Sequence, residues 1–228
     1  MVIIPSAIPM EIELECGVCG HRQIYKLPTP SCTECGSEWM EARYNYERVG
    51  RLWPDILRHR PFTMWRYREL LPIRNDEYEI TMGEGGTPLL RAHNLSMMLG
   101  IPHLFIKDER QNPTNSFKDR QAALVISMMK EAGVTEMAVA STGNVAISYS
   151  AYSTHAGIKL WTFLPSLVPP EKMREIAIYG SEVVKVTGNY DMTKKVAASF
   201  AAHKGILIDR GIRNIGTREG MKTMAMDV

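Results

Sequence analysis

An α/β fold, a parallel sheet with helices on both faces preceded by a small metal-held ribbon, is predicted by three features of this 228-residue sequence. From residue 104 onward, short apolar runs alternate with amphipathic stretches. Glycine repeatedly comes after the predicted helices, as the left-handed C′ position requires. All four cysteines fall before residue 36, as two Cys-x-x-Cys-Gly units. Strand–helix alternation at this spacing builds a parallel sheet, because each crossover lays a helix on one face or the other.

The ribbon comes first. Cys16-Gly17-Val18-Cys19-Gly20 and Cys32-Thr33-Glu34-Cys35-Gly36 give the spacing C-x₂-C-x₁₂-C-x₂-C. In each unit the glycine lets the backbone fold back, so that two thiolates point at one ion and two such knuckles complete a tetrahedron. Residues 11–40 therefore read as a zinc ribbon with Cys16, Cys19, Cys32 and Cys35 as ligands. Four sulfurs leave no position for water, so the zinc is structural. Iron in the same cage, two disulfides or idle thiols are the alternatives, and a reducing compartment weighs against disulfides. So short a segment has little core, and ion binding would supply much of its folding free energy.

Residues 41–80 read as a linker or strap containing a helix. Arg43, Tyr44, Tyr46, Arg51, Trp53, Arg60, Trp65, Arg66, Tyr67 and Arg68 interleave charge with rings, a pattern that binds single-stranded nucleic acid by stacking and phosphate contact. Glu47, Asp55, Glu69, Asp76, Glu77 and Glu79 cancel much of that charge, which favours a surface strap with tucked rings. A zinc-ribbon nucleic-acid module is thus the remote alternative.

In the main unit, residues 81–228, the expected strands are Leu104–Lys107, Met137–Ala140, Lys159–Leu164, Glu182–Val186 and Ile206–Ile208. The expected helices are Ser116–Ala132, Val145–Ala156, Glu171–Tyr179 and Asp191–His203. The segment from Arg218 to Val228 starts an apolar-periodic helix and stops without a cap or polar tail, the look of a cut chain. Hydrophobic residues at 45%, charged residues at 23% and a net charge of +2 are globular values that give no pull toward nucleic acid or anionic membrane. Met1–Met10 is apolar but lacks a basic start and carries two prolines, so it is not read as a signal peptide. No apolar run approaches the ~18–20 residues of a membrane span. A soluble, cytoplasmic protein without a membrane partner is expected.

Two candidate sites stand out. On a helical wheel, Phe117, Ala122, Leu124, Val125, Ile126, Met128 and Met129 form one arc, and Asp119, Arg120, Ser127, Lys130 and Glu131 fill the other. Lys118 falls within the apolar arc. It also lies in the first helical turn, where the dipole disfavours a cation by about 0.3–1 kcal/mol. Desolvation acts in the same direction, and together they favour the neutral, nucleophilic amine. The second site is Ser141-Thr142-Gly143-Asn144, between the strand ending at Ala140 and the next helix. Backbone N–H groups and two hydroxyls there form a cradle for an anion such as a carboxylate, or a plain helix cap. Both sites come directly after strands of the alternating unit, whose carboxyl ends are where parallel sheets collect ligands.

Gly83-Glu84-Gly85-Gly86-Thr87-Pro88-Leu89, Lys107-Asp108-Glu109, Pro113-Thr114-Asn115-Ser116-Phe117-Lys118-Asp119-Arg120 and Ser141-Thr142-Gly143-Asn144 together resemble the threonine synthases and their relatives. These are fold-type-II enzymes of the tryptophan synthase beta-like superfamily, which use pyridoxal phosphate. Trp65-Arg66-Tyr67-Arg68-Glu69-Leu70-Leu71-Pro72 and the ribbon are similar to one branch of them. The resemblance spans nearly all of residues 14–228 and implies the amino-terminal half of such an enzyme, residues 81–228 being the first part of its catalytic domain. It implies that Lys118 holds pyridoxal 5'-phosphate as a Schiff base, that Asn144 hydrogen-bonds the cofactor's phenolic oxygen, and that Ser141 and Thr142 hold the carboxylate of a small amino-acid substrate. The implied reaction converts O-phosphohomoserine and water to threonine and phosphate, with the freed lysine amine moving protons. A threonine or serine dehydratase, or a sulfur-amino-acid-forming enzyme, is the alternative. The family's loop for the cofactor phosphate belongs to the second half, so this chain alone is expected to turn over little. Homo-oligomer formation by the full-length protein is left open. Two positions depart from the pattern. Thr217 stands where many threonine synthases carry a phosphate-gripping arginine, with Arg218 one residue on, and Asn115 replaces the more usual glycine.

Overall fold

The structure, a computed structural model, describes residues 12–26 and 31–228. The expectation about Met1–Met10 lies outside these, as do residue 11 and residues 27–30 of the predicted ribbon.

Strands β1 (Glu13–Cys16), β2 (Arg22–Ile24) and β3 (Met40–Arg43) form an antiparallel sheet in the order β2-β1-β3. Leu14, Tyr25 and Met40 leave this sheet for the same buried cluster as the main unit's Leu124, Val125 and Met128. The ribbon is therefore packed on the body of the protein. Helix α1 (Tyr46–Ile56) comes next, then a kinked 3₁₀ segment, Met64–Leu70. The strap's charges are largely spent: buried Arg60 pairs with Glu69 at 2.6 Å, and Arg68 pairs with Asp76 and Glu79. Trp65 and Tyr67 are buried.

The Gly83–Leu89 motif packs against this strap. Glu84 is fully buried and accepts hydrogen bonds from Trp65 Nε1 and the Tyr152 hydroxyl, each at 2.6 Å. Gly86 has φ +60°, and a side chain there would strike the Phe62 carbonyl, which explains the glycine. Strands β4 (Leu89–Arg91) and β5 (Phe105–Lys107) flank α2 (His93–Leu99) and pair antiparallel. This corrects the sequence expectation for Leu104–Lys107: it is a strand, but β4 is its partner and it does not join the parallel sheet.

The remaining expected elements are present. They are α3 (Lys118–Glu131), β6 (Glu136–Ala140), α4 (Asn144–Ala156), β7 (Lys159–Pro165), α5 (Pro170–Ile178), β8 (Glu182–Val186), α6 (Tyr190–Lys204), β9 (Leu207–Ile208) and α7 (Ile215–Met226). The four strands are parallel, in the order β8-β7-β6-β9. One face packs on α6, where Ala138 and Phe163 meet Ala197 and Ala201. The other packs on α4 and α5, where Leu164 meets Ile147 and Ile176. Left-handed Gly157 and Gly205 end α4 and α6 as the sequence implies.

Helix α3 is buried beyond the apolar arc of its wheel. Asp119, Arg120 and Ser127, on the polar arc, are each 0% exposed. Helices α4 and α7 and the strap enclose α3, and each polar group has acquired a partner. Asp119 accepts from the Thr114 N–H at 2.6 Å and from the Thr114 hydroxyl, which is 2.9 Å from Ser148 of α4. Ser127 receives the Ile80 N–H at 2.8 Å. Helix α7 approaches closely through its glycines: a Cβ at Gly220 would lie 2.5 Å from the Arg120 carbonyl oxygen. Among the described residues no helix is long and apolar enough to cross a membrane.

Candidate active site and metal centre

The turn before α3 aims Lys118. Asn115 adopts φ +58°, the left-handed conformation that asparagine tolerates better than most residues, so its replacement of glycine leaves the turn intact. The clasp between Asp119 and Thr114 then fixes the first turn of α3 against α4.

Lys118 Nζ opens into a cavity of about 740 Å³ at the carboxyl ends of β6 and β9. Ala140, Ser141 and Val145 line it from the β6–α4 turn, Lys194 from α6, Asp209, Arg210 and Arg213 from the segment after β9, and Thr217 and Arg218 from α7. The volume is within the usual range for small-molecule sites, about 300–1,000 Å³. Cations predominate in the lining: Lys118, Lys194, Arg210, Arg213 and Arg218 face one carboxylate, Asp209.

Among the described residues no carboxylate pairs with Lys118. Its amine lies 3.3 Å from the Gln121 amide oxygen and 4.5 Å from the Phe117 ring centre. Burial holds its pKa below the usual lysine value. Gln121 is itself buried and reaches the Tyr149 hydroxyl at 3.5 Å. Asp209 accepts from Gly211 N–H at 3.0 Å and Asn214 Nδ2 at 2.9 Å, yet burial pushes its carboxyl up.

The second sequence site is brought in only in part. Ser141 lines the cavity with Lys118, whereas Thr142 and Asn144 are exposed at the start of α4 and outside its lining. Gly143 is the N-cap residue and no side chain caps the helix, so the hydroxyls are not used as a plain cap. Sequence reasoning missed Gln121, Lys194, Asp209, Arg210 and Arg213. Asp209 and Arg210 carried a signal, since they come immediately after a predicted parallel strand. The one-residue displacement noted at Thr217 has a geometric result, because successive residues on a helix differ by about 100°. Thr217 faces the cavity, 7% exposed, with a hydroxyl that finds no partner. Arg218 borders the cavity as well, but its guanidinium reaches the ribbon, donating to the Met40 carbonyl and lying 4.9 Å from the Trp39 ring.

The four cysteine sulfurs lie within 4.8 Å of one another. Cys16 and Cys35 are 3.6 Å apart and Cys19 and Cys32 3.5 Å, close to the ~3.8 Å edge of a tetrahedron with zinc–sulfur bonds of about 2.3 Å. None is in a disulfide. This donor set fits a structural zinc. The Lys118 cavity likewise fits pyridoxal phosphate: a partly buried amine without an acid partner, an orphaned hydroxyl and a cationic wall suit an aldehyde that carries phosphate.

A family model described as pyridoxal-phosphate dependent enzyme matches residues 80–228. The chain is 38% identical over 197 residues to a threonine synthase of Methanocaldococcus jannaschii, covering 86% of this chain and 48% of that protein. It is 29% identical over 216 residues to one of Methanosarcina acetivorans, covering 94% and 52%. The chain thus spans about half the length of the curated relatives it matches. Among solved structures, the processed form of threonine deaminase isoform 2 from Solanum lycopersicum superposes with a TM-score of 0.59 at 23% identity, over 62% of this chain and 39% of that one. That likeness shows the fold.

Proposed function

The chain belongs to the family of pyridoxal-phosphate dependent enzymes, and we propose that its Lys118 site serves a lyase of the threonine synthase type, acting on O-phosphohomoserine and water. The observation that carries this reading is the Lys118 amine: lowered by burial, free of any acid partner among the described residues, and opening beside Ser141 into a cationic cavity. Bound pyridoxal phosphate would supply a carbonyl carbon for an amine and a ring that takes up the electron pair left on a substrate carbon.

The chain's own groups have separable roles. Lys118 would hold the cofactor, and its amine would move a proton between substrate carbons. Ser141, and Thr142 if its loop closes inward, orient the substrate carboxylate. Asn144 is assigned to the cofactor's phenolic oxygen, and its exposed place at the start of α4 leaves it free to turn. Lys194, Arg210 and Arg213 draw an anionic group into the cavity. Cys16, Cys19, Cys32 and Cys35 hold a structural zinc.

A dehydratase acting on threonine or serine is the second reading, favoured by Thr217 at the position where many threonine synthases carry the phosphate-gripping arginine. The native gene product, supplied with pyridoxal phosphate and O-phosphohomoserine, is expected to release phosphate and threonine in equal amounts, and Lys118→Ala to abolish both. Formation of 2-oxobutanoate from threonine without phosphate release from phosphohomoserine would replace the first reading with the second.

A further inference from the structure

Among the described residues, residues 37–40 of the ribbon meet three of the cavity's five cations. Residues 37–40 run between the two cysteine knuckles and the main unit. On one side both knuckles are bonded to this segment. The Gly17 N–H donates to the Trp39 carbonyl at 2.9 Å, and the Cys32 N–H donates to the Ser37 carbonyl at 2.8 Å. Cys16 is paired with Met40 across β1 and β3. No slack remains at the first knuckle, where a Cβ on Gly17 would lie 2.5 Å from the Trp39 ring.

On its other side the same segment grips the arginines. Glu38 accepts from Arg210 at 2.5 Å and from Arg213 at 3.3 Å. Met40 and Trp39 hold Arg218, which also donates to the Ile212 carbonyl at 2.5 Å and so ties down the turn between β9 and α7. Arg210, Arg213 and Arg218 all line the cavity.

We propose that the four-cysteine ribbon is a positioning element for the cavity: Glu38, held between the two metal knuckles, sets Arg210 and Arg213 at its mouth, so that zinc in the ribbon governs how well the cavity takes a phosphate-bearing ligand. Glu38 is a positioning residue, touching neither cofactor nor substrate. An exposed ion pair contributes little by itself, because holding two long side chains in one geometry costs entropy. It can fix an arginine only if its acid is already fixed. The backbone of residues 37–39 is fixed by the knuckles, and the knuckles by the ion. Leu14 and Met40 lie in the main core together with Cys16 and Cys32, so zinc removal is expected to loosen the exposed side of the knuckles and Glu38 while the domain remains folded.

This proposal rests on the cavity being the ligand site of the proposed function, but its test does not depend on Lys118 capturing a carbonyl. Hydrogen–deuterium exchange is measured on the whole chain with zinc, on the chain stripped of metal by chelator, and on zinc-loaded Glu38→Gln. Residues 209–218 are expected to exchange about fivefold faster in both altered forms, the size of one lost exposed ion pair, with α4 unchanged. Glu38→Gln is expected to retain its full zinc content. Calorimetry with inorganic phosphate supplies a second readout with a diagnostic sign. Removing an acid beside arginines tightens anion binding if only charge matters, whereas loss of positioning weakens it. The proposal is overturned if residues 209–218 exchange at the same rate with and without zinc. It is equally overturned if Glu38→Gln binds phosphate as tightly as the unaltered chain or more tightly, or if the unaltered chain binds none.

Discussion

Lys118 and Arg120 leave α3 two residues apart, and the protein treats their charges in opposite ways. Arg120 is completely buried and completely matched. Its guanidinium donates to both oxygens of Glu109 at 2.8 Å, to Asp227 at 2.5 Å and to Thr223 at 3.1 Å. Lys107 adds a second cation to Asp227 at 3.3 Å, so two positive groups balance two negative ones. Lys118 has a neutral amide oxygen for a neighbour and an open cavity in front of it. A cation drawn out of water is either paired, as at Arg120, or has its charged form disfavoured, as at Lys118, and the two residues illustrate the two routes. The first joins β5, the 109–120 segment and the end of α7. The second leaves a reactive amine.

The contrast can be broken from the Arg120 side. Arg120→Ala leaves Glu109 and Asp227 as unpaired carboxylates in the core, and should destabilise the fold by about 3–5 kcal/mol in denaturant unfolding. A loss below about 1 kcal/mol would mean that the network does not anchor the helix.

Lys118→Met sharpens the contrast with a smaller effect of opposite sign. The folded-state pKa of Lys118 lies below the ordinary lysine value, so the unfolded chain binds more protons between the two values and stability rises with pH across that window. Below the folded value the charged amine subtracts stability, and the subtraction fades as pH climbs toward the unfolded value. Lys118→Met should therefore raise stability slightly at neutral pH, by less than about 1 kcal/mol since solvent reaches the amine, and confer no gain at strongly alkaline pH. Denaturation midpoints measured across that range check the sign. A net loss at neutral pH would mean that the charged amine is stabilised by its surroundings.

How far the sequence could be read depended on whether the cause was local. Helices and strands between residues 116 and 208 each carry their own period and stop signal, so they were legible. The partner of Leu104–Lys107 was not, because β4 is three residues long and pairing across the intervening α2 leaves no pattern in either segment. The wheel of α3 separates apolar from polar residues but carries no sign that the polar arc is buried as well. One of the two acids that compensate Arg120, Asp227, is 107 positions away, invisible to a periodicity. The amine of Lys118 was legible because an unmatched lysine in an apolar arc is a local contradiction. Asp209 and Arg210 were within reach of the same logic, since polar residues at the carboxyl end of a parallel strand face the ligand crevice. Glu38 was not, since its partner Arg210 lies 172 residues along the chain.

The central claim is that Lys118 is the amine prepared to capture a carbonyl carbon. It is tested most directly by mixing the protein with an equimolar amount of pyridoxal phosphate, reducing with borohydride and locating the fixed pyridoxyl group by peptide mass spectrometry. The label is expected on Lys118 ahead of every other lysine, with exposed Lys159, Lys172 and Lys195 modified only at excess reagent. Label spread evenly over the surface lysines, with the peptide containing Lys118 unmodified, would contradict it.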